Sequence, residues 1–222
     1  EIEWQKSLGG SADDVGKSIH QTVDGGFVLA GYTSSDDGDV IGLHESEFGS
    51  YSDSWIVKLD NSGNVEWQRC LGGSKGDRAL SVRQTTDNGF ILTGSTNSDD
   101  GDVSGLHLSE SGLDSDCWVV KLDDIGAIQW QNCLGGSNSD GGTCIQECLT
   151  GGFIVGGYTN SQDGDVAGSH ATPGLLLDDY WIVKINNAGS IEWQQCLGGV
   201  SPEMSTSFDQ TSDGGLIVAG WS

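Results

Sequence analysis

The chain is poor in basic residues, in proline and in long apolar runs. Its 222 residues include nine Lys and Arg against 33 Asp and Glu, a formal net charge of −24. Such a charge repels phosphate backbones and anionic membrane surfaces, which argues against nucleic acid as a partner. No run of 18 apolar residues occurs, so no membrane-spanning segment is predicted. Only two residues are Pro, and the 36 Gly recur at regular intervals between β-rich runs, which indicates turns rather than low-complexity sequence.

The six cysteines include no C-x-x-C pair. The closest two, Cys144 and Cys148, are four residues apart on a predicted strand, about 13 Å at the usual rise per residue. Zinc sites need thiolates that converge at short spacing, so no zinc site is expected. Most of the thiols are predicted to be small buried side chains.

One cysteine pair is a candidate disulfide. Cys117 and Cys133 each lie eight residues from Ile125, which is at the centre of a predicted hairpin turn. This count makes the two cysteines cross-strand neighbours, close enough to bridge. A difference of one residue in the turn would instead place them on opposite faces of the hairpin.

The sequence repeats itself every 63 residues without a gap. The motif appears as WQKSLGG, WQRCLGG, WQNCLGG and WQQCLGG, and it begins at Trp4, Trp67, Trp130 and Trp193. A repeat of this kind indicates that one supersecondary unit is used several times.

Each repeat contains four strand-like runs, named a to d in chain order. In the second copy the predicted strands are a at 79–84, b at 90–94, c at 118–122 and d at 128–134. The a–b turn contains Asn88-Gly89, a pair typical of tight hairpins. In strand d, alternation places Ile128, Trp130 and Leu134 on one face, as expected for contact with a neighbouring unit.

Four antiparallel strands per repeat, with no helical period, predict an all-β fold, a β-propeller of 63-residue four-stranded blades. A β-sandwich is the alternative, but a sandwich gives no reason for a 63-residue period. We predict one repeat domain over 1–222 with about three and a half blades. The boundaries are near 11–73, 74–136 and 137–199, with a partial blade at 200–222 and an N-terminal strand at 1–10.

Three segments resemble the WQKSLGGS repeat proteins, which are similar to β-propeller repeat families of the SBBP type. They are WQKSLGG from Trp4, GFVLAGYT from Gly26, and WIVKLD from Trp55. The resemblance covers nearly the whole chain. It implies a large extracellular or cell-surface protein of bacteria or archaea, and it implies no particular reaction.

A weaker resemblance is to quinoprotein propellers, whose blades carry an Asp-turn-Gly-Trp motif between their last two strands. Asp60, Gly63 and Trp67 are similar to it, although the spacing is one residue shorter. In that family the motif stabilises blades. No cofactor-binding residues match, so the resemblance implies no organic cofactor.

Acidic residues recur in the long b–c loop of each repeat. The loop holds an Asp-Gly-Asp-Val motif, and a third Asp follows immediately before strand c. Oxygen ligands around a Gly turn suit Ca²⁺, and the alternative is that these carboxylates bond backbone N–H groups, as in Asx turns. The candidate calcium ligands are Asp37, Asp39, Asp53, Asp100, Asp102, Asp116, Asp163, Asp165 and Asp179.

A His follows each Asp-Gly-Asp-Val motif, as His44, His107 and His170. These are expected to pack against their own loops rather than to converge on a catalytic or zinc centre. The paired carboxylates are the one plausible general acid and base, but their presence in every copy favours a structural role. The copies differ most at the loop tips 45–52, 108–115 and 171–178, where a partner could be recognised.

The sequence therefore favours a non-enzymatic scaffold, extracellular or on the cell surface, used for adhesion, binding or assembly and stabilised by Ca²⁺. The expected partners are further copies or adjoining repeats, and a glycan or protein ligand at the b–c loop rim. The first alternative is a carbohydrate-active or quinoprotein-like propeller enzyme. The second is a self-assembling filament or ring subunit.

Overall fold

The computed structural model describes residues 1–46, 51–107, 112, 114–170, 177–199 and 201–221, with the backbone alone at 204–206. Fourteen strands lie in these residues. They are β1 Asp14–Gln21, β2 Phe27–Thr33, β3 Asp53–Leu59, β4 Val65–Leu71, β5 Asp77–Gln84, β6 Phe90–Thr96, β7 Asp116–Leu122, β8 Ile128–Leu134, β9 Asp140–Glu147, β10 Phe153–Thr159, β11 Asp179–Ile185, β12 Ile191–Leu197, β13 Met204–Gln210 and β14 Leu216–Trp221.

The strands form three antiparallel four-stranded sheets and one hairpin. Sheet 1 has the order β1-β2-β3-β4, sheet 2 the order β5-β6-β7-β8, and sheet 3 the order β9-β10-β11-β12, while β13 and β14 form hairpin 4. The described residues contain no helix, so they include no helix that could cross a membrane. The all-β prediction is confirmed. In sheet 2 the four predicted strands are all present, with strands a, b and c each two residues longer than predicted.

The sheets stack face to face, and each face contributes to an apolar cluster. One cluster joins sheets 1 and 2 through residues such as Ile56 and Trp118, and the next joins sheets 2 and 3 through residues such as Val119 and Trp181. A third cluster joins sheet 3 to hairpin 4. Strand β7 lies between two such clusters, which is why every one of its residues is buried. Every residue of β3 is buried as well, and the outer face of sheet 1 has its own cluster with Val40 and Leu8.

Each strand c carries a Lys, which remains buried because its charge is paired. The Lys58 ammonium lies 2.9 Å from an Asp24 carboxylate oxygen and 2.8 Å from one of Glu66, and it also donates to the Leu59 carbonyl. Lys121 and Lys184 occupy the same place in sheets 2 and 3. These ion pairs lie beside the tight turns at one end of each sheet. Three of the nine basic residues therefore have a structural role.

Residues 1–10, predicted as a strand, are not in a strand. A strand d pairs with strand c of its own repeat, as β4 does with β3, and the described part of the chain holds no such neighbour for residues 1–10. Their side chains still pack as a strand d would. Trp4 contacts the Phe27 ring at a centroid distance of 5.7 Å, as Trp67 contacts Phe90 at 5.4 Å.

The prediction that Cys117 and Cys133 face each other is wrong. Cys117 is opposite Leu134, and Cys133 is opposite Trp118. A bulge beside the hairpin turn causes the shift, because the register passes from Leu122–Ile128 to Lys121–Trp130 and skips one residue. The two thiols therefore lie on opposite faces of sheet 2, in different clusters, and all six cysteines are free. Burial raises the pKa of the Cys117 thiol to about 12.

Candidate functional site

The repeated Asp-Gly-Asp-Val motif forms a tight turn directly after strand b. In sheet 2 the Val103 N–H donates to the Asp100 carbonyl at 3.0 Å, and Gly101 has a φ of 65°. Glycine adopts this left-handed conformation at the least steric cost. A side chain there would also overlap the Gly72 carbonyl, so the turn lies directly on the segment that leads into strand a.

The two carboxylates of the motif bond that same segment. Asp100 accepts the Ser74 N–H at 2.7 Å, and Asp102 accepts the Gly72 N–H at 3.3 Å. The same bonds occur in sheets 1 and 3, through the pairs Asp37–Ser11, Asp39–Gly9, Asp163–Ser137 and Asp165–Gly135. The expected backbone bonding is therefore present, but it joins the loop to residues 26 or 30 positions earlier instead of capping the turn.

A further Asp at the start of each strand a was missed by the sequence analysis. Asp77 is fully buried, accepts the Gly73 N–H and the Ser98 hydroxyl at 2.8 Å each, and also accepts the Thr96 hydroxyl. Burial raises the pKa of Asp77 to about 6. The signal was present, because Asp14, Asp77 and Asp140 follow the Leu-Gly-Gly motif at a constant distance.

The third predicted Asp of each loop binds the loop's own His. Asp116 is buried, and its Oδ2 atom accepts the backbone N–H of His107 at 2.9 Å. The same oxygen lies 2.8 Å from the Nδ1 atom of the His107 ring. Asp53 holds His44 in the same way, and Asp179 holds His170. Burial lowers the pKa of His107, but the Asp116 carboxylate outweighs it, so the pKa is raised.

Two of the His side chains also reach the next repeat. His44 Nε2 lies 3.6 Å from an Asp102 carboxylate oxygen, and His107 Nε2 lies 3.8 Å from one of Asp165. Each therefore stands between the buried Asp of its own loop and the Asp-Gly-Asp turn of the following one. This row of carboxylate–imidazole–carboxylate contacts, here called the rim ladder, joins successive sheets.

Four of the nine predicted calcium ligands are thus drawn together in pairs around a His, as Asp53 with Asp102 and Asp116 with Asp165. In the described part of the chain, no His contact brings a second predicted ligand to Asp37, Asp39, Asp100, Asp163 or Asp179. Among the described residues, no group of three or more His, Cys, Asp or Glu is arranged to hold a metal ion. The Oδ1 atom of Asp116 is buried and has no hydrogen-bond partner there. Calcium binding stays a prediction.

We expect the chain to be more stable near pH 5 than near pH 8. Asp77 and Asp140 have pKa values raised to about 6 by burial, so their protonated forms favour the fold and this contribution is lost as the pH rises from about 4 to 6. His44 and His107 have raised pKa values, so their contribution is full below about 6.5 and is lost as the pH rises through the folded value.

The measurement is the free energy of unfolding at pH 5 and pH 8 at one ionic strength. A loss of about 2 kcal/mol or more is expected at the higher pH. Asp77→Asn should make this loss of stability smaller, because an amide does not ionise in this pH range. Its oxygen can still accept the Gly73 N–H and the Ser98 hydroxyl, so the fold should be kept. Equal or greater stability at pH 8 would contradict the prediction. Below about pH 4 the trend reverses, since Ser137 holds the pKa of Asp163 below its usual range.

The variable loop tips at 45–52, 108–115 and 171–178 lie largely outside the described residues, which omit 47–50, 108–111, 113 and 171–176. The residues that flank these gaps are described, and Tyr51 and Ser115 among them line a pocket. No protein-family model and no curated protein matches the chain.

Proposed function

We propose that the chain is a non-enzymatic β-propeller scaffold of an extracellular or cell-surface protein, with repeats of the WQKSLGGS type. The observation that carries the non-enzymatic part is the bonding of the rim. Its repeated carboxylates and imidazoles bond backbone N–H groups, hydroxyls or one another. Groups used in this way in every copy hold the frame together, whereas catalysis needs a group that is free to bind or exchange a proton with substrate.

The propeller part is supported by how successive sheets meet. Strand a of each sheet contacts strand a of the next, so β5 lies between β1 and β9. Strand d is at the opposite edge of each sheet. A radial arrangement of four-stranded sheets with strand a innermost accounts for both features, and such rings have four or more blades.

Self-assembly is supported by two surfaces at hairpin 4 and sheet 1. On hairpin 4, Ile217 is 63% exposed, whereas its equivalents Val28, Ile91 and Ile154 are 0 to 4% exposed because the next sheet covers them. At the other end, sheet 1 has an apolar groove of about 190 Å³ lined by Leu29, Trp55 and Val57. The equivalent face of sheet 2 is covered by sheet 1. The exposed face of hairpin 4 and the groove of sheet 1 thus belong to the two sides of the contact that joins neighbouring sheets, although Trp55 and Val57 are only 8% and 2% exposed.

A second copy of the chain can therefore dock hairpin 4 against sheet 1, in a head-to-tail contact. Contacts of this type close into rings or continue as filaments, depending on the rotation between copies. This makes the self-assembling subunit the second candidate function, and the same surfaces would receive adjoining repeats of a longer chain.

The test is sedimentation equilibrium over a concentration series. We expect the average mass to rise with concentration, and we expect Ile217→Asp to abolish the rise because it places a charge on the docking face. Ile125→Asp is the matched control, since Ile125 is 61% exposed but lies in a hairpin turn. A monomer at every concentration, or equal loss in both variants, would refute assembly through these faces.

Calcium stabilisation has less support than assembly. It rests on the recurring rim acids, on the net charge of −24 and on the unpartnered Asp116 oxygen. A thermal melt with and without excess chelator decides it. A melting temperature that chelator leaves unchanged means that the rim is held by its hydrogen bonds alone.

A further inference from the structure

One pocket breaks the repeat symmetry and also reverses the charge of the surface. It has a volume of about 420 Å³ and lies where the d–a connection and strands a and b of sheet 2 meet Tyr51 and Tyr158. Lys75 and Arg78 line it, and no described acidic residue does. The chain has nine basic and 33 acidic residues, so two cations with no carboxylate among the described lining residues are unusual for its surface.

Neither cation is used by the frame as the strand c lysines are. In the described part of the chain, Lys75 and Arg78 form no ion pair, whereas Lys58, Lys121 and Lys184 all do. The Arg78 guanidinium lies over the Tyr32 ring, 4.9 Å from its centroid. This contact holds the guanidinium in place and leaves its N–H groups able to bind an anion.

The other copies show how the space arises. Arg78 is paired across the strands with Ser95, whereas the same pair is Val15–Tyr32 in sheet 1 and Gly141–Tyr158 in sheet 3. Sheet 2 thus exchanges a Tyr on strand b for a Ser and gains an Arg on strand a. The small Ser95 leaves open the volume that a Tyr ring occupies in the other two sheets.

The geometry points to this pocket as a binding site for a small carboxylated sugar, of the uronic acid class. Arg78 can bind a carboxylate through two parallel N–H bonds, and Lys75 adds a second charge. Tyr51 and Tyr158 line the pocket and offer aromatic faces to the sugar ring. Asn97 and Ser115 make its wall polar, although their side chains also donate to the carbonyls of Asp114 and Asp140. A long polyanion is disfavoured by the net charge of −24, so the ligand is a single residue or a short chain end.

This inference rests on the proposed scaffold function and gives its rim a ligand class. The test is calorimetric titration of the whole chain with methyl glucuronide, its methyl ester, methyl glucoside and inorganic phosphate. We expect the acid to bind at least tenfold more tightly than the ester and the neutral sugar, since only the acid pairs with both cations. No binding of the acid, equal binding of acid and ester, or phosphate binding as tight as the sugar acid would overturn the proposal.

Substitutions that introduce the residue found at the same position of sheet 1 test whether the ligand binds in this pocket. Arg78→Val and Ser95→Tyr should each weaken binding of the acid at least tenfold, the first by removing the charge and the second by filling the pocket. Lys6→Gln, which removes a charge outside the pocket, should leave the Kd within twofold. If one pocket variant fails to fold, the other decides, and retention of full affinity in the folded variant refutes the assignment.

The same variants separate this proposal from assembly. Ile217→Asp should lose self-association and keep sugar binding, while Arg78→Val should do the opposite. Loss of binding in Ile217→Asp at a concentration where the native chain is monomeric would mean that the pocket is not the site.

Discussion

Trp118→Ala is expected to lower the free energy of unfolding by about 3–5 kcal/mol. Trp118 is the largest fully buried side chain of sheet 2, with 1% exposure, and it packs in the cluster between sheets 1 and 2. Truncation leaves a cavity that cannot collapse, because sheets on both sides fix the backbone of β7. It also removes the partner of the Gln131 side-chain oxygen, which accepts the indole N–H at 2.7 Å.

Denaturant unfolding measures this loss, and Trp193→Ala provides the control. Trp193 belongs to strand d of sheet 3 and is 44% exposed, so its removal takes much less apolar area from the core. We expect a loss there of less than about 1.5 kcal/mol. Equal losses in the two variants would mean that the clusters between the sheets are not the main source of stability.

The stack of sheets could be predicted from the sequence because the same pattern of turn residues and apolar runs occurs four times. Turn residues recur at a fixed spacing, and the strand between two apolar faces reads as a continuous apolar run, as in Trp118 to Val120. The strand register could not be predicted to the residue. The bulge opposite Lys121 depends on how strand d meets the turn, and nothing in the hairpin's composition marks it.

The candidate site could likewise be predicted only in part. The recurring Asp and His residues could be found in the sequence, but their partners could not, because Ser74 and Asp100 are joined only once the loop folds onto the preceding segment. Asp77 was missed for a related reason. A single Asp at the start of a strand resembles an ordinary exposed turn residue, and only the fold shows that it is buried among Thr96, Ser98 and the Gly73 N–H.

Local backbone geometry also explains why one glycine of strand b recurs in every copy, and Gly94 is the position that tests it. Gly94 is opposite Ala79, next to a bulge in β5 that brings the Arg78 carbonyl toward strand b. A Cβ at residue 94 would overlap that carbonyl oxygen, as it would overlap those of Val15 at Gly31 and Gly141 at Gly157. The obstacle is backbone, so it can move only if the hydrogen bonds between the two strands break.

We therefore expect Gly94→Ala to destabilise the chain by about 3 kcal/mol or more, the upper end of what overpacking costs, although it adds a single methyl group. Gly16→Ala is the matched control, because a Cβ there meets nothing within 4 Å and the backbone φ is ordinary for an L residue. Its effect should stay within about 1 kcal/mol, since it mainly restricts the unfolded chain. Thermal and denaturant unfolding of both variants give the comparison. If Gly94→Ala is as stable as Gly16→Ala, the bulge does not hold the Arg78 carbonyl against strand b.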